Sequence, residues 1–188
     1  TILDHHNNEP ARIRARDNDA INKGWLCDEG RVTYKRIQDK DTAILEPHAR
    51  INGKLTPIGW DKARQMVAEI LGKYTSAGDG ALGMALSSQV STEGATAFVE
   101  LAEQVLQVDS FAITGLPDGK GDDFLRTQDQ NPNRAGLELV LEAYSIFDEG
   151  PEALKKAVEG GKVKTLIMVG SDFNRADEAW QKALESIQ

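Results

Sequence analysis

Over the first sixty residues, apolar and polar positions alternate in short runs bounded by turn formers. Ile2-Leu3-Asp4-His5 and Ala11-Arg12-Ile13-Arg14-Ala15-Arg16 flank Asn7-Asn8-Glu9-Pro10, which predicts a β-hairpin. In the second run Ala11, Ile13 and Ala15 alternate with Arg12, Arg14 and Arg16, so one face is apolar and the other carries three guanidiniums. Such a row either binds an acidic partner or is a solvated, edge-protecting face, and the second reading is favoured because charged strand faces are a common device against edge pairing. An irregular stretch from Asp17 leads through Trp25-Leu26-Cys27 to a short helix predicted over Val32 to Ile37, capped by Asp28 or a neighbour. Ala49-Arg50-Ile51 and Lys54-Leu55-Thr56-Pro57-Ile58 then flank Asn52-Gly53, both of which accept the positive φ of a type I′ turn, so a second hairpin is expected.

At Gly59-Trp60 the period lengthens. Trp60, Ala63, Met66, Val67, Ile70 and Leu71 follow helical spacing and predict one buried helix face. The change from short β pieces to long helices places a domain boundary near Ile58, dividing the chain into 1–58 and 59–188. Strands are expected at Ala81–Leu86, Ser110–Thr114 and Val163–Val169, the last with the near-continuous apolar run of a parallel strand covered on both faces. Between the first two, Ser91 is the expected N-cap of a helix running to Gln107 with Ala95, Phe98, Val99, Ala102, Val105 and Leu106 on one face. An irregular segment from Gly115 to Arg134 precedes helices at Ala135–Tyr144 and Pro151–Glu159, the second ended by Gly160-Gly161. Ala176–Ile187 is a last amphipathic helix. The predicted class is α/β: a small antiparallel β subdomain followed by a partial doubly wound, mostly parallel α/β domain. Ligands of such sheets bind beyond the carboxyl ends of the strands, which directs attention to loops 87–90, 115–134 and 170–174.

Composition narrows the partners. In 188 residues, 40% apolar and 28% charged side chains are ordinary globular usage, and the net charge of −8 comes from acids spread along the chain, so a nucleic-acid partner is not expected. No apolar run approaches the roughly 20 residues that span a bilayer, so no direct membrane insertion is expected. One cysteine makes no internal disulfide, and Thr1 opens a strand-like pattern without a basic, apolar leader, so a reducing, cytoplasmic setting is the default.

The candidate chemistry centres on Cys27. A thiol just before a helix lies near free backbone N–H groups, which favour thiolate, the form that binds soft metals. Zinc or an iron–sulfur cluster nevertheless needs further thiolates or imidazoles. His5-His6 does not form a metal site, because neighbours on a strand point to opposite faces. The glycines of Gly115-Leu116-Pro117-Asp118-Gly119-Lys120-Gly121-Asp122-Asp123 form neither a P-loop nor a dinucleotide fingerprint, and the segment reads as a surface or contact loop. No nucleophile, base and orienting residue stand in a recognisable arrangement, so catalysis by this segment alone is not expected.

Several stretches carry a family resemblance. Arg12-Ile13-Arg14-Ala15-Arg16-Asp17-Asn18, then Ile21-Asn22-Lys23-Gly24-Trp25-Leu26-Cys27-Asp28-Glu29-Gly30-Arg31, Leu45-Glu46-Pro47, Arg50, Asn52-Gly53 and Ile58-Gly59-Trp60-Asp61-Lys62-Ala63 resemble the start of the molybdopterin-oxidoreductase superfamily. The Cys-Asp-x-Gly-Arg form is most similar to the G subunit, the large iron–sulfur subunit, of bacterial NADH-quinone oxidoreductase (complex I). Gly121-Asp122-Asp123-Phe124-Leu125 and Asn131-Pro132-Asn133-Arg134-Ala135-Gly136 resemble that subunit's α/β region.

The resemblance implies a [4Fe-4S] cluster on four cysteines, with Cys27 as the fourth ligand and the other three before Thr1, so this chain is expected to be a fragment that holds no cluster alone. It also implies partners among the other subunits of a respiratory complex, and a cytoplasmic place peripheral to the inner membrane through them. Three departures speak against a molybdopterin: Glu29 where the molybdenum enzymes carry Lys, Phe111-Ala112-Ile113-Thr114-Gly115 without a metal-ligating cysteine, and Gly170-Ser171-Asp172-Phe173 where Gly-x-Asn-Pro would be expected. The reading favoured is a scaffold and electron-transfer segment. The alternatives are a piece of a molybdopterin-dependent oxidoreductase such as a formate dehydrogenase, and a cofactor-free interaction domain.

Overall fold

The computed structural model describes all residues except 38, 40, 42, 76–80, 109, 123–126, 171–177, 186 and 188, with the backbone alone at 29, 37, 75, 178, 179 and 181. The chain divides into two compact units, Thr1–Arg64 and Gln65–Gln188.

The first unit holds two antiparallel hairpins. Strands β1 (Ile2–His6) and β2 (Glu9–Arg14) are joined by Asn7 and Asn8 at φ 51° and 64°, a two-residue turn shorter than the one expected. The twist of such a turn matches that of the strands, and asparagine tolerates the left-handed backbone it needs. The register slips between Asp4↔Arg12 and His5↔Pro10, leaving Ala11 as the extra residue of a bulge beside a proline that has no N–H to give the ladder. Because β2 ends at Arg14, Arg16 lies beyond the strand face on which sequence alone placed it. Strands β3 (His48–Ile51) and β4 (Lys54–Pro57) close on Asn52 and Gly53 at φ 51° and 78°, as the type I′ signal required.

Two short helices, α1 (Asp28–Val32) and α2 (Tyr34–Ile37), pack against β2. The helix predicted from Val32 thus begins earlier, at Asp28, and breaks at Thr33, whose N–H and hydroxyl both donate to the Gly30 carbonyl.

Helix α3 (Trp60–Thr75) forms where its period predicts, but its apolar stripe is not a buried face. Trp60 is 65% exposed and Val67 53%, while Leu71 and Tyr74 near its end pack partly against the core of the second unit. Period establishes the helix; only packing decides which part of the stripe is covered.

In the second unit, three parallel strands among the described residues stand in the order β6 (Ser110–Thr114), β5 (Leu82–Ser87), β7 (Thr165–Val169). One face carries Leu82, Met84, Leu86, Phe111 and Ile113 against α4 (Thr92–Glu100), the turn after it, and α5 (Arg134–Ala143). The other carries Ala85 and Ala112 against Leu154 and Val158 of α6 (Pro151–Glu159) and Trp180 and Ala183 of α7 (Glu178–Glu185). Helices therefore cover both faces, and the class is the predicted one: a small antiparallel β part followed by a parallel α/β part.

The fully buried central strand is β5; β7 is parallel and covered on both faces as expected, Ile167 and Val169 packing into the core on the α4–α5 side and Leu166 and Met168 into that on the α6–α7 side, although it is only partly buried past Thr165. Two expectations for this unit are corrected. The helix after Ser91 does not run unbroken to Gln107, because Leu101–Leu106 is a π-helix. Its wider turn keeps Ala102 and Leu106 in the core and leaves Val105, a predicted core residue, 62% exposed. The irregular loop and the last helix are seen where described, whereas residues 171–174, Asp123 to Leu125 and Ala176 lie outside the described residues.

Candidate functional site

Cys27 stands at the end of a loop built by two asparagines. The Asn18 carbonyl accepts the N–H groups of Ile21, Asn22 and Lys23 at 3.1, 2.9 and 3.0 Å. The Asn22 side chain donates to the Arg16 carbonyl at 2.8 Å and accepts from the N–H groups of Asn18 and Gly24 at 3.0 and 3.2 Å. Lys23 and Gly24 both have positive φ, 47° and 77°, which reverses the chain before Trp25 donates to the Asn22 carbonyl at 2.7 Å. This closed set of bonds fixes the approach to the thiol.

Cys27 is itself the N-cap of α1, the neighbour of Asp28 among the expected caps. The residue is exposed, its backbone is extended, and its Sγ accepts the Gly30 N–H at 3.2 Å. Gly30 is part of this contact, because a Cβ there would lie 3.0 Å from Sγ and 3.6 Å from a Leu26 methyl. Large apolar side chains close to Cys27 in the sequence are exposed as well: Ile21 81%, Trp25 57% and Val32 48%. Among the described residues no group of three or more His, Cys, Asp and Glu could hold a metal ion. His48 Nδ1 is bonded to the Glu46 carbonyl at 2.9 Å. The Glu29 side chain, a departure from the molybdenum enzymes, lies outside the described residues.

The arginine face of β2 has its own counter-ion. Asp4, opposite Arg12, accepts from Arg12 Nε at 2.8 Å and from Arg14 Nε and Nη2 at 2.8 and 3.0 Å. Those bonds, Arg14 first, hold its carboxyl down at about 2. Two of the three guanidiniums are therefore paired within the hairpin, in keeping with the protective-face reading.

At the carboxyl ends of β5 and β6, polar groups are spent on holding the long loop. Asn131 Oδ1 accepts the Leu116 N–H at 2.7 Å, and its Nδ2 donates to the Leu116 carbonyl at 2.9 Å and to Asp129 at 2.6 Å. The buried Ser88 hydroxyl reaches Asn131 Oδ1 at 2.8 Å and the Thr114 carbonyl at 3.0 Å. Asn133 Nδ2 donates to the Val90 carbonyl at 2.8 Å. The side-chain and backbone amides of Asn131, with Arg134 behind them, hold the Asp129 carboxyl below its usual range. A Cβ at Gly115 would collide with Asn131 and Ser88, so glycine is needed at that approach. These roles of Asn22, Gly30 and Asn131 are not legible in the sequence; the sole signal there is a cluster of Asn and Gly, which marks turns in general.

No family model matches the chain. It is similar to the G subunit of NADH-quinone oxidoreductase of Streptomyces coelicolor, 27% identical over 191 residues that cover 97% of this chain and 22% of that protein. The G subunit of Rickettsia bellii is 34% identical over 67 residues, 36% of this chain and 10% of that protein. A nitrate reductase of Symbiobacterium thermophilum is 33% identical over 61 residues, 32% of this chain and 8% of that protein. The chain is thus homologous to the G subunits of several bacteria, and its matches span between 10% and 22% of the length of the two named. No helix among the described residues is long and apolar enough to cross a membrane.

Proposed function

We propose that this chain is a scaffold and electron-transfer segment of a protein of the G-subunit type from an NADH-quinone oxidoreductase. In this reading residues 1–58 carry Cys27 as one of four thiolate ligands of a [4Fe-4S] cluster, and 59–188 form an α/β scaffold that contacts other subunits. The supporting observation is similarity to a G subunit over 97% of the chain, together with an exposed thiol on a closed, hydrogen-bonded loop. The residues present fit one corner of such a cluster: Cys27 is exposed, its Sγ receives an N–H, and Gly30 places no Cβ beside it. They do not supply the other three ligands, which in the full-length protein come from elsewhere. A bound cluster supplies one-electron transfer. What this chain's residues contribute is the placing of one ligand, through Asn22 and Gly24 before it and Gly30 after it. The reading includes no pterin and no catalytic group within these residues, and it places the protein in the cytoplasm, at the membrane only through partner subunits.

The test is the full-length protein purified without oxygen, with and without Cys27→Ala. Iron, acid-labile sulfide and a reducible EPR signal are expected in the parent, with one such signal lost in the variant. An unchanged set of signals in Cys27→Ala defeats the proposal. A second reading, a segment of a molybdopterin-dependent oxidoreductase, draws on the likeness to a nitrate reductase; molybdenum bound stoichiometrically in the same preparation would favour it.

A further inference from the structure

We infer that the outer edge of β7 is a docking site for a fourth parallel strand, supplied by the chain that follows α7 in the full-length protein. It rests on the G-subunit reading for one point, that the protein is several times longer than these 188 residues. The two edges of the sheet differ. β6 has its outer side closed: the Ile113 N–H donates to Asp148 Oδ1 at 3.0 Å, and the Phe111 carbonyl accepts the Glu149 N–H at 3.0 Å. β7 pairs with β5 alone among the described residues. Its Thr165 N–H donates to the Ala81 carbonyl at 3.1 Å, and a parallel ladder uses alternate residues of each strand. Thr165, Ile167 and Val169 thus bond to β5, while the N–H and C=O groups of Leu166 and Met168 face outward. Thr-Leu-Ile-Met-Val has no charge and no proline, and its register with β5 is unbroken, so the edge lacks the devices that keep exposed strands from pairing.

The helices fix which strand fits. α4 lies on one face of the sheet and takes the chain from β5 to β6, whereas α7 lies with α6 on the opposite face. Crossovers between parallel strands are right-handed, and such a crossover steps one way across a sheet when its helix is on one face and the other way when it is on the opposite face. A strand reached through α7 is therefore carried away from β6 and onto the free edge of β7, parallel to it. The connection from β6 to β7, which ends in α6 on that same face, already steps in this direction.

The test uses the full-length protein. In hydrogen exchange read by site-resolved mass spectrometry, the Leu166 and Met168 amides are expected to exchange at least about 100-fold more slowly than unstructured amides, like that of Ile167, which opens only with the sheet. A cryo-EM map is expected to show a parallel strand beside β7, traced to the chain after Gln188. Fast exchange at Leu166 and Met168 beside a protected Ile167 overturns the inference. So does a map in which the edge is bare, or is paired with another subunit or with a second copy of β7. The iron and EPR measurements above test the cluster separately: a protein without iron whose β7 edge is paired defeats the proposed function alone, and one with every cluster signal and an open edge defeats this inference alone.

Discussion

Asn131 meets Ser88 across 43 residues of sequence, its Oδ1 2.8 Å from the Ser88 hydroxyl oxygen. The same amide satisfies both backbone groups of Leu116, so one side chain ties the end of β5 to the loop that follows β6. Truncating it strands polar groups that are at least partly buried. Asn131→Ala is therefore expected to lose about 1–3 kcal/mol of stability, measured by urea denaturation. A loss within experimental error would mean the loop is held by other contacts.

The Asp4 carboxyl lies at about 2 against an ordinary 3.8, so its contribution has a definite sign. A depressed folded-state value means the stabilisation is fully present above about 4 and is lost as pH falls toward 2. An NMR titration of the Asp4 carboxyl carbon should give a midpoint near that low value. In Arg14→Gln the midpoint should rise, because Arg14 is the leading cause; a midpoint already near 3.8 in the parent would show the pairs to be absent in solution.

Two glycines should respond in opposite directions to alanine. At Gly83 on β5 a Cβ would lie 3.0 Å from a Val163 methyl and 3.1 Å from a Leu154 methyl, so Gly83→Ala overpacks the α6 side of the sheet and should cost about 1–3 kcal/mol. At Gly72, inside α3, a Cβ meets nothing within 4 Å among the described residues. Gly72→Ala should therefore add about 0.5–1 kcal/mol through helix propensity and a less flexible unfolded chain. Paired thermal or denaturant curves check both, and a stabilising Gly83→Ala would contradict the packing described for that face.

Cys27 has a capping role that can be separated from any ligand role. In this chain without metal, Cys27→Ser should keep the cap and its stability, since serine is a preferred N-cap, whereas Cys27→Ala should lose about 0.5–2 kcal/mol. Equal stability of the two variants by chemical denaturation would show that the Sγ contact to Gly30 contributes nothing to folding.

Several elements are legible residue by residue. Asn52-Gly53 specifies its hairpin, Ser91 caps α4 by accepting from Gly94 N–H, and Gly161 ends α6 at φ 71°, each because the controlling energy acts between residues a few positions apart. Cys27 stands out as the lone thiol, and its place before a helix follows from the pattern; of the caps the pattern allows, Asp28 or a neighbour, the structure selects Cys27 itself.

The sequence by itself determined the type and order of most of the strands, turns and helices, with bounds that shift by a few residues, the α/β class they make, and which side chain carries the candidate chemistry. Tertiary structure alone decided that β5 and not β7 is the central strand, that Val105 turns out through a π-helix, that much of the α3 stripe stays exposed, that Asp4 occupies the arginine face, and that Asn131 locks a loop to Ser88. Backbone propensity, turn conformation and capping are settled within one or two turns of chain. Strand order, burial of a given face and the partner of a polar side chain depend on segments tens of residues apart, whose pairing the local pattern permits but does not choose.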